Sequence, residues 1–552
     1  MAQKIAKDSN YQVLCWGAVA ITLALTPWMN SDSLIIPKVI ILVSLALYLL
    51  PKLFFFKYYL AFNRITKLFV SVLFLIVAQM ILVMWNSQAP FEQQFFGRTG
   101  RGLGLITEIS LLVLVLTASI SAKSENIKTL MFTLTLSCTI TSAYSVLQRF
   151  GLDIFEWVSR TNGIIGTLGN PNFQSSFAAM CLIPSLIYVF NRRSFAYGVI
   201  SLTALITLVY FSQSTQGYVL TVIVILVFLI VRTYYRYRVI FFILIPMTFF
   251  TGLVIIAGMT NRGLLAKYLY KTSVQSRGDF YETTLSIANS NPLFGVGLDS
   301  LGDHYLMYRS ESVAKGINEF TDSAHNYFLN YASTGGYPLA ILNLMFVLLV
   351  LYNFLILFRR SKVYEPYLTA LFCIWICFQF QALISPSNIP LLVWNAIISG
   401  TIIGLVNRGS ASTTKSVNQY QYKLGLTRPF SYLLLIIGLI IVYPYFNVDR
   451  MQIQANKTGD ALLALKSAKS YPESTVRYSR IGQALIDSNL AVQSLDLARS
   501  AVAFNPNAPS AWAMLLLNNS ATYDERVRAR EEVLRLDPFN EEVRAFVVPQ
   551  GN

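Results

Sequence analysis

The two histidines of this 552-residue chain, His304 and His325, fall in one polar stretch between hydrophobic runs. His325 lies in Thr321-Asp322-Ser323-Ala324-His325-Asn326-Tyr327-Phe328-Leu329, ahead of a helical pattern in which Leu329, Ala332 and Gly336 share its face. Asp322 is a good N-cap for that helix. A helix N-terminus disfavours imidazolium, so the ring stays neutral and able to accept a proton, which suits a general base. An interfacial histidine bonded to a neighbour fits the same residue taken alone.

Arginines stand in the other polar stretches. Arg277 precedes Asp279-Phe-Tyr-Glu-Thr-Thr-Leu-Ser-Ile-Ala-Asn-Ser290, Arg160 lies near Trp157, and Arg98 and Arg101 occupy Phe95-Phe-Gly-Arg-Thr-Gly-Arg-Gly-Leu-Gly104. A planar guanidinium donates two parallel hydrogen bonds and does not deprotonate, which suits a phosphate. Each arginine also reads as a side chain snorkelling to a membrane interface, and more so Arg262 and Arg309. The sequence has no Walker or dinucleotide glycine loop, no histidine-rich metal spacing and no paired aspartates opening a long loop. Metal-free acid–base and electrostatic catalysis, with no cofactor, is what these residue types leave.

The elements that must position them are membrane helices. Hydrophobic residues make up 55% of the chain and charged ones 13%, with a mean hydropathy of +0.53, more apolar surface than a soluble core would bury. Runs long enough to cross a bilayer fall at 12–29, 34–50, 66–85, 103–122, 128–149, 173–190, 195–211, 216–231, 239–258, 335–358, 366–382, 390–407 and 429–446. This predicts an all-α polytopic bundle of about 12–13 spans. The net charge of +16 is placed for a membrane and not for nucleic acid. Lys52, Lys57, Arg64 and Lys67, then Arg192 and Arg193, Arg232 and Arg236, Arg359 and Arg360, and Arg408 and Lys415 alternate with loops almost free of basic residues. That is the positive-inside pattern, so the amino terminus is expected in the cytoplasm and the carboxyl terminus outside. Arg98, Arg101, Arg160 and Arg277 run against this bias, for which a bound anion is the natural reason. Cys15, Cys138, Cys181, Cys373 and Cys377 fall in apolar spans and read as small hydrophobes.

Two exterior loops and a tail break the alternation. One, at about 150–172, carries the turn Gly169-Asn-Pro-Asn172; the longer, at about 259–325, is expected to contain a short amphipathic helix with Tyr281, Leu285 and Ala288 on one face, lying on the membrane surface. Residues 447–552 turn charged and alanine-rich, with Pro472, Pro506 and Pro538 spaced 34 and 32 residues apart near helix ends. This tail resembles degenerate tetratricopeptide repeats, which bind protein partners or simply cap the parent domain.

The stretches Gly97-Arg-Thr-Gly-Arg-Gly-Leu-Gly104, Gly166-Thr-Leu-Gly-Asn-Pro-Asn-Phe173, Ser276-Arg277 through Asn291-Pro-Leu-Phe-Gly-Val-Gly-Leu298, and Ala324-His325-Asn326 through Gly335-Gly336 together resemble the O-antigen ligase and polymerase superfamily. The resemblance implies a transmembrane domain over residues 1–446 of a bacterial inner-membrane protein, with the site and the 447–552 tail on the periplasmic side. It implies a metal-independent, inverting transferase that moves glycan from undecaprenyl diphosphate to a lipid A core, a growing glycan or a protein hydroxyl. By the same resemblance His325 and Arg277 are catalytic, and Arg160, Arg98, Arg101, Asn170 and Asn326 bind substrate. One departure stands out: many members carry an acidic residue before the glycine pair, where this chain has Ser333-Thr334. A ligase, including a protein O-oligosaccharyltransferase, leads; a polymerase uses the same leaving-group chemistry; a transporter like the bicarbonate-uptake-associated relatives is the alternative from another class. Inverted repeats with broken spans would favour transport, and none is convincing in the sequence.

Overall fold

The computed structural model describes residues 9–53, 63–155, 157, 164–259, 261–408, 427–488 and 490–549. Among these every regular element is helical. The helices are α1 (Ser9–Leu23), α2 (Ile36–Leu49), α3 (Arg64–Asn86), α4 (Phe91–Phe96), α5 (Leu105–Ser121), α6 (Asn126–Arg149), α7 (Pro171–Val189), α8 (Phe195–Ser212), α9 (Thr215–Arg236) and α10 (Arg238–Met259). Then come α11 (Ala266–Leu269), α12 (Thr272–Ser290), α13 (Leu301–Tyr308), α14 (Glu311–Lys315), α15 (Tyr327–Arg360), α16 (Pro366–Ala382), α17 (Ile389–Arg408) and α18 (Thr427–Thr458). The tail adds α19 (Ala461–Lys469), α20 (Thr475–Asp487), α21 (Ala491–Phe504), α22 (Pro509–Leu517), α23 (Tyr523–Leu536) and α24 (Glu541–Ala545).

Each apolar run of the sequence overlaps a helix, although α1 ends at Leu23, short of the expected boundary at 29. Nine helices among the described residues are long and apolar enough to cross a membrane. α5 and α16, at 17 residues, and α1 and α2, at 15 and 14, are shorter but lie within the same bundle. α17 is the buried centre and packs closely on α5. A side chain at Gly400 or Gly404 would come within 2.2 Å of the Val115 or Ser119 carbonyl, the small-residue contact that lets membrane helices approach. The last span runs on as one helix to Thr458, past the expected boundary at 446.

α15 is two helices joined at a kink. Gly336 stands at φ +79°, and a Cβ there would meet the Leu293 carbonyl at 2.3 Å. The 291–297 turn docks into this break: the Val296 and Gly297 amides donate to the Ser333 and Thr334 carbonyls at 2.9 and 3.1 Å, and the Tyr337 amide to the Pro292 carbonyl at 2.8 Å. The positions before the glycine pair thus serve through their carbonyls. Gly336→Ala should cost about 1–3 kcal/mol from the backbone alone and more from the clash. Its melting temperature in detergent should fall well below that of Gly252→Ala, where an added Cβ meets nothing within 4 Å.

The long loop differs from expectation in one helix. α12 begins at Thr272, and its buried stripe is Ser276, Phe280, Thr283, Thr284, Ile287 and Ala288. Leu285 points outward, 43% exposed, so the apolar face is rotated by about one residue from the expected one. The reason is that α12 packs against α15, where small and hydroxyl-bearing side chains fit. The tail has its own core around Tyr478, Leu497, Trp512 and Val533.

Candidate functional site

Three glycine-marked segments converge beside the start of α15. Gly97 and Gly104 close the 97–104 loop back to back, and the amides of Arg98 and Leu103 both donate to Asp299 Oδ2, at 2.7 and 3.3 Å. Asp299 directly follows the 291–298 turn, so the first loop is stitched to the segment that locks the α15 kink. Burial pushes the Asp299 carboxyl up to about 6.

Asn326, not Asp322, caps α15: its Oδ1 accepts from the Phe328 and Leu329 amides at 3.1 Å. His325 therefore lies outside the helix, at φ +52°, and does not share the face of Leu329, Ala332 and Gly336. Asp322 instead accepts from Arg101 Nε at 3.0 Å and from Arg101 Nη2, and lies 3.9 Å from Arg98 Nε. Although burial opposes it, these guanidinia hold the Asp322 carboxyl below its usual value.

The His325 ring is half-buried against Phe280, with ring centroids 5.1 Å apart, and its Nδ1 is buried with no hydrogen-bond partner. Its pKa is pushed down to about 4, first by burial and then by the positive charges of Arg101 and Arg277, with Asp322 opposing. Desolvation and two nearby cations thus favour the neutral ring.

Arg277, unlike Arg98, Arg101 and Arg309, has no carboxylate partner among the described residues. Its Nε is buried without a partner, and burial draws its pKa below the ordinary value. Tyr281 stands next to it on α12 and donates to the Leu383 carbonyl at 2.9 Å. Asn326 Nδ2 donates to the same carbonyl at 3.2 Å, so the 383–388 segment bridges α12 and α15. That segment also reaches the 164–172 loop, where Asn388 Nδ2 donates to the Leu168 carbonyl at 3.2 Å. Asn170 caps α7 by accepting from the Asn172 amide at 2.8 Å, and no contact among the described residues joins its side chain to His325. Arg160 lies outside the described residues.

Arg98 and Arg101 come to the site already paired. Arg98 Nη1 donates to Asp303 Oδ1 at 2.6 Å, and Arg101 is engaged by Asp322. Arg309, expected to snorkel, is buried instead and pairs with Asp537 of the tail at 2.6 Å. The acidic partners Asp299 and Asp303, and also Glu108, are functional-site neighbours that the sequence motifs do not include. Glu108 is a carboxylate inside the apolar run of α5 and accepts from Tyr331 Oη at 2.6 Å. A carboxylate within a span is itself a signal of function or of a buried network; Asp299 and Asp303 carried none beyond their spacing of four.

Residues 199–344 match the O-antigen ligase family. The matched part runs from α8 to just beyond the α15 kink, and so contains Arg277, the 291–298 turn, His325 and Gly335-Gly336. The 97–104 and 166–173 stretches lie outside it. No curated protein matches the chain. The match supports a membrane enzyme that transfers glycan, of the ligase and polymerase superfamily.

Proposed function

We propose that the protein transfers glycan from a polyprenyl diphosphate, undecaprenyl diphosphate by the superfamily resemblance, to an acceptor hydroxyl of a lipid A core, a glycan or a protein, on the outer face of the inner membrane. The observation that carries this is the pairing of a neutral imidazole, its Nδ1 unpartnered, with a guanidinium that has no carboxylate partner among the described residues. In the proposed step the acceptor hydroxyl gives its proton to the unprotonated nitrogen of the neutral His325 ring as its oxygen bonds to the anomeric carbon. The carbon–oxygen bond to the diphosphate breaks on the opposite face, inverting the centre, and the electron pair leaves with the diphosphate. Arg277 faces the charge that grows there. A well-placed donor of this kind is worth about 10²–10³ in rate. Arg98 and Arg101, held by Asp303 and Asp322, serve this scheme better as fixed members of an ion-paired network than as diphosphate ligands.

Because arginine supplies the charge, the scheme needs no metal. Purified protein with a polyprenyl-diphosphate glycan and each of the three acceptor classes should transfer glycan, and should keep most of that activity in EDTA. Transfer to none of them would refute the reading; loss on chelation with rescue by magnesium would refute the arginine-based account. In cells lacking the gene, a ligase predicts assembled polymer left on its carrier and a polymerase predicts single repeat units.

A further inference from the structure

Successive turns of the tail each place a side chain against the segments that carry the site. Beside Pro472, Ser474 Oγ lies 2.7 Å from Thr99 Oγ1. Before Pro506, Asn505 Nδ2 donates to Asp303 Oδ2 at 3.0 Å and to Thr475 Oγ1 at 3.2 Å. Before Pro538, Asp537 Oδ1 pairs with Arg309 Nη2 at 2.6 Å. Asn505 and Asp537 occupy the same register, each closing a helix, α21 and α23. They take hold of α13 at two points, Asp303 in its first turn and Arg309 just past its end.

All four of these side chains are at least nine-tenths buried. Buried polar pairs contribute little net adhesion but fix geometry, because a displaced partner is left desolvated and unpaired. What they fix leads to the site. Asp303 receives Gln93 Nε2 at 2.8 Å and Arg98 at 2.6 Å; Arg98 reaches toward Asp322, which holds Arg101. A Cβ at Gly302 would lie 3.0 Å from Asp322, so α13 and the approach to His325 are packed backbone to side chain.

We infer that the carboxy-terminal helices clamp α13, and that Asn505 and Asp537 are positioning residues that set the Asp303–Arg98–Asp322–Arg101 array around His325. The catalytic part of this inference rests on the proposed glycan transfer; the positioning part does not. The charged and titratable groups facing His325 are Arg101 from the 97–104 loop, Arg277 and Tyr281 from α12, and Asp322 from its own loop.

The test uses the full chain in nanodiscs, with Asn505→Leu and Asp537→Leu combined. Carbethoxylation of His325, followed on its own peptide by mass spectrometry, reports the pH at which the ring loses its proton. Release of α13 should solvate the ring and move that midpoint from about 4 toward the ordinary value of about 6.5. Glycan transfer should fall about tenfold or more in turnover with little change in donor KM, since Arg277 lies outside the clamp; a tenfold loss is the size expected of a displaced supporting contact. Reversing the pair, Arg309→Asp with Asp537→Arg, should restore the midpoint relative to Arg309→Asp alone. Asn505→Ala alone carries the same readout with less risk to folding. A midpoint that stays near the wild-type value in folded variants overturns the clamp. A moved midpoint with unchanged turnover overturns its catalytic part. Absence of transfer by the wild-type protein would refute the proposed function, while the midpoint would still decide the clamp.

Discussion

His325→Ala should lower the single-turnover rate of glycan transfer by about 10²–10⁴ and leave donor binding near the wild-type value. A base acts mainly in the transition state, so the loss belongs in turnover. The pH profile carries the same information. With the imidazole pKa pushed down to about 4 by burial and by Arg101 and Arg277, the acid limb of kcat/KM should fall near that value. The limb of an ordinary histidine would fall near about 6.5. The sign is fixed: activity is lost as the pH drops through the folded pKa, because protonated imidazole cannot take the acceptor's proton. Folding stability follows the same direction. It is intact above the unfolded pKa and erodes as the pH falls toward the folded one, since the unfolded chain takes up the proton first. Wild-type turnover in His325→Ala would return His325 to a structural role. Abolished donor binding with Arg277 intact would make it a diphosphate ligand.

How much of this was legible depends on the range of the interactions concerned. Span positions follow from runs of apolar residues, a local property, and every run met a helix. The kink at Gly336 was marked by its glycine pair, but its partner was not. Only the fold shows that the 291–297 turn is the strand of backbone that fills the break, although both stretches had been singled out separately. The error at Asp322 has the same origin. Asp322 and Asn326 are both good caps by residue type, and what removes Asp322 from the helix end is Arg101, more than two hundred positions away. The amphipathic stripe of α12 was misplaced by one residue because its covering surface, α15, accepts Thr283 and Thr284 where a lipid surface would not. Arg309 was read as interfacial because its counter-ion, Asp537, lies in a tail whose sequence gives no hint of where it docks. Long-range charge pairing is thus what the sequence withheld, and it separates Arg277 from the paired arginines.

Arg277→Lys should weaken donor use by about 10–100-fold, the loss of a charge-assisted contact worth roughly 1.5–3 kcal/mol, with less effect on the rate once donor is saturating. Charge alone is not the reason, because lysine keeps it. The guanidinium offers two parallel donors to a diphosphate, whereas the ammonium offers a point charge on a flexible stem. Depth adds to the difference: Arg277 Nε is already buried without a partner and burial lowers its pKa. A lysine there, starting from a lower intrinsic pKa, would surrender its proton more readily. The defect should therefore deepen as the pH rises, opposite in sense to the acid limb of His325. Inorganic pyrophosphate, as a competing anion, should protect the wild-type donor site and fail to do so in the variant. Arg98→Lys is the contrast, since its guanidinium is bound to Asp303 and Asp322, and it should alter donor affinity far less. Equal losses from Arg98→Lys and Arg277→Lys would mean that the carboxylates give up their arginines when donor binds, and that the diphosphate is held by the whole cluster.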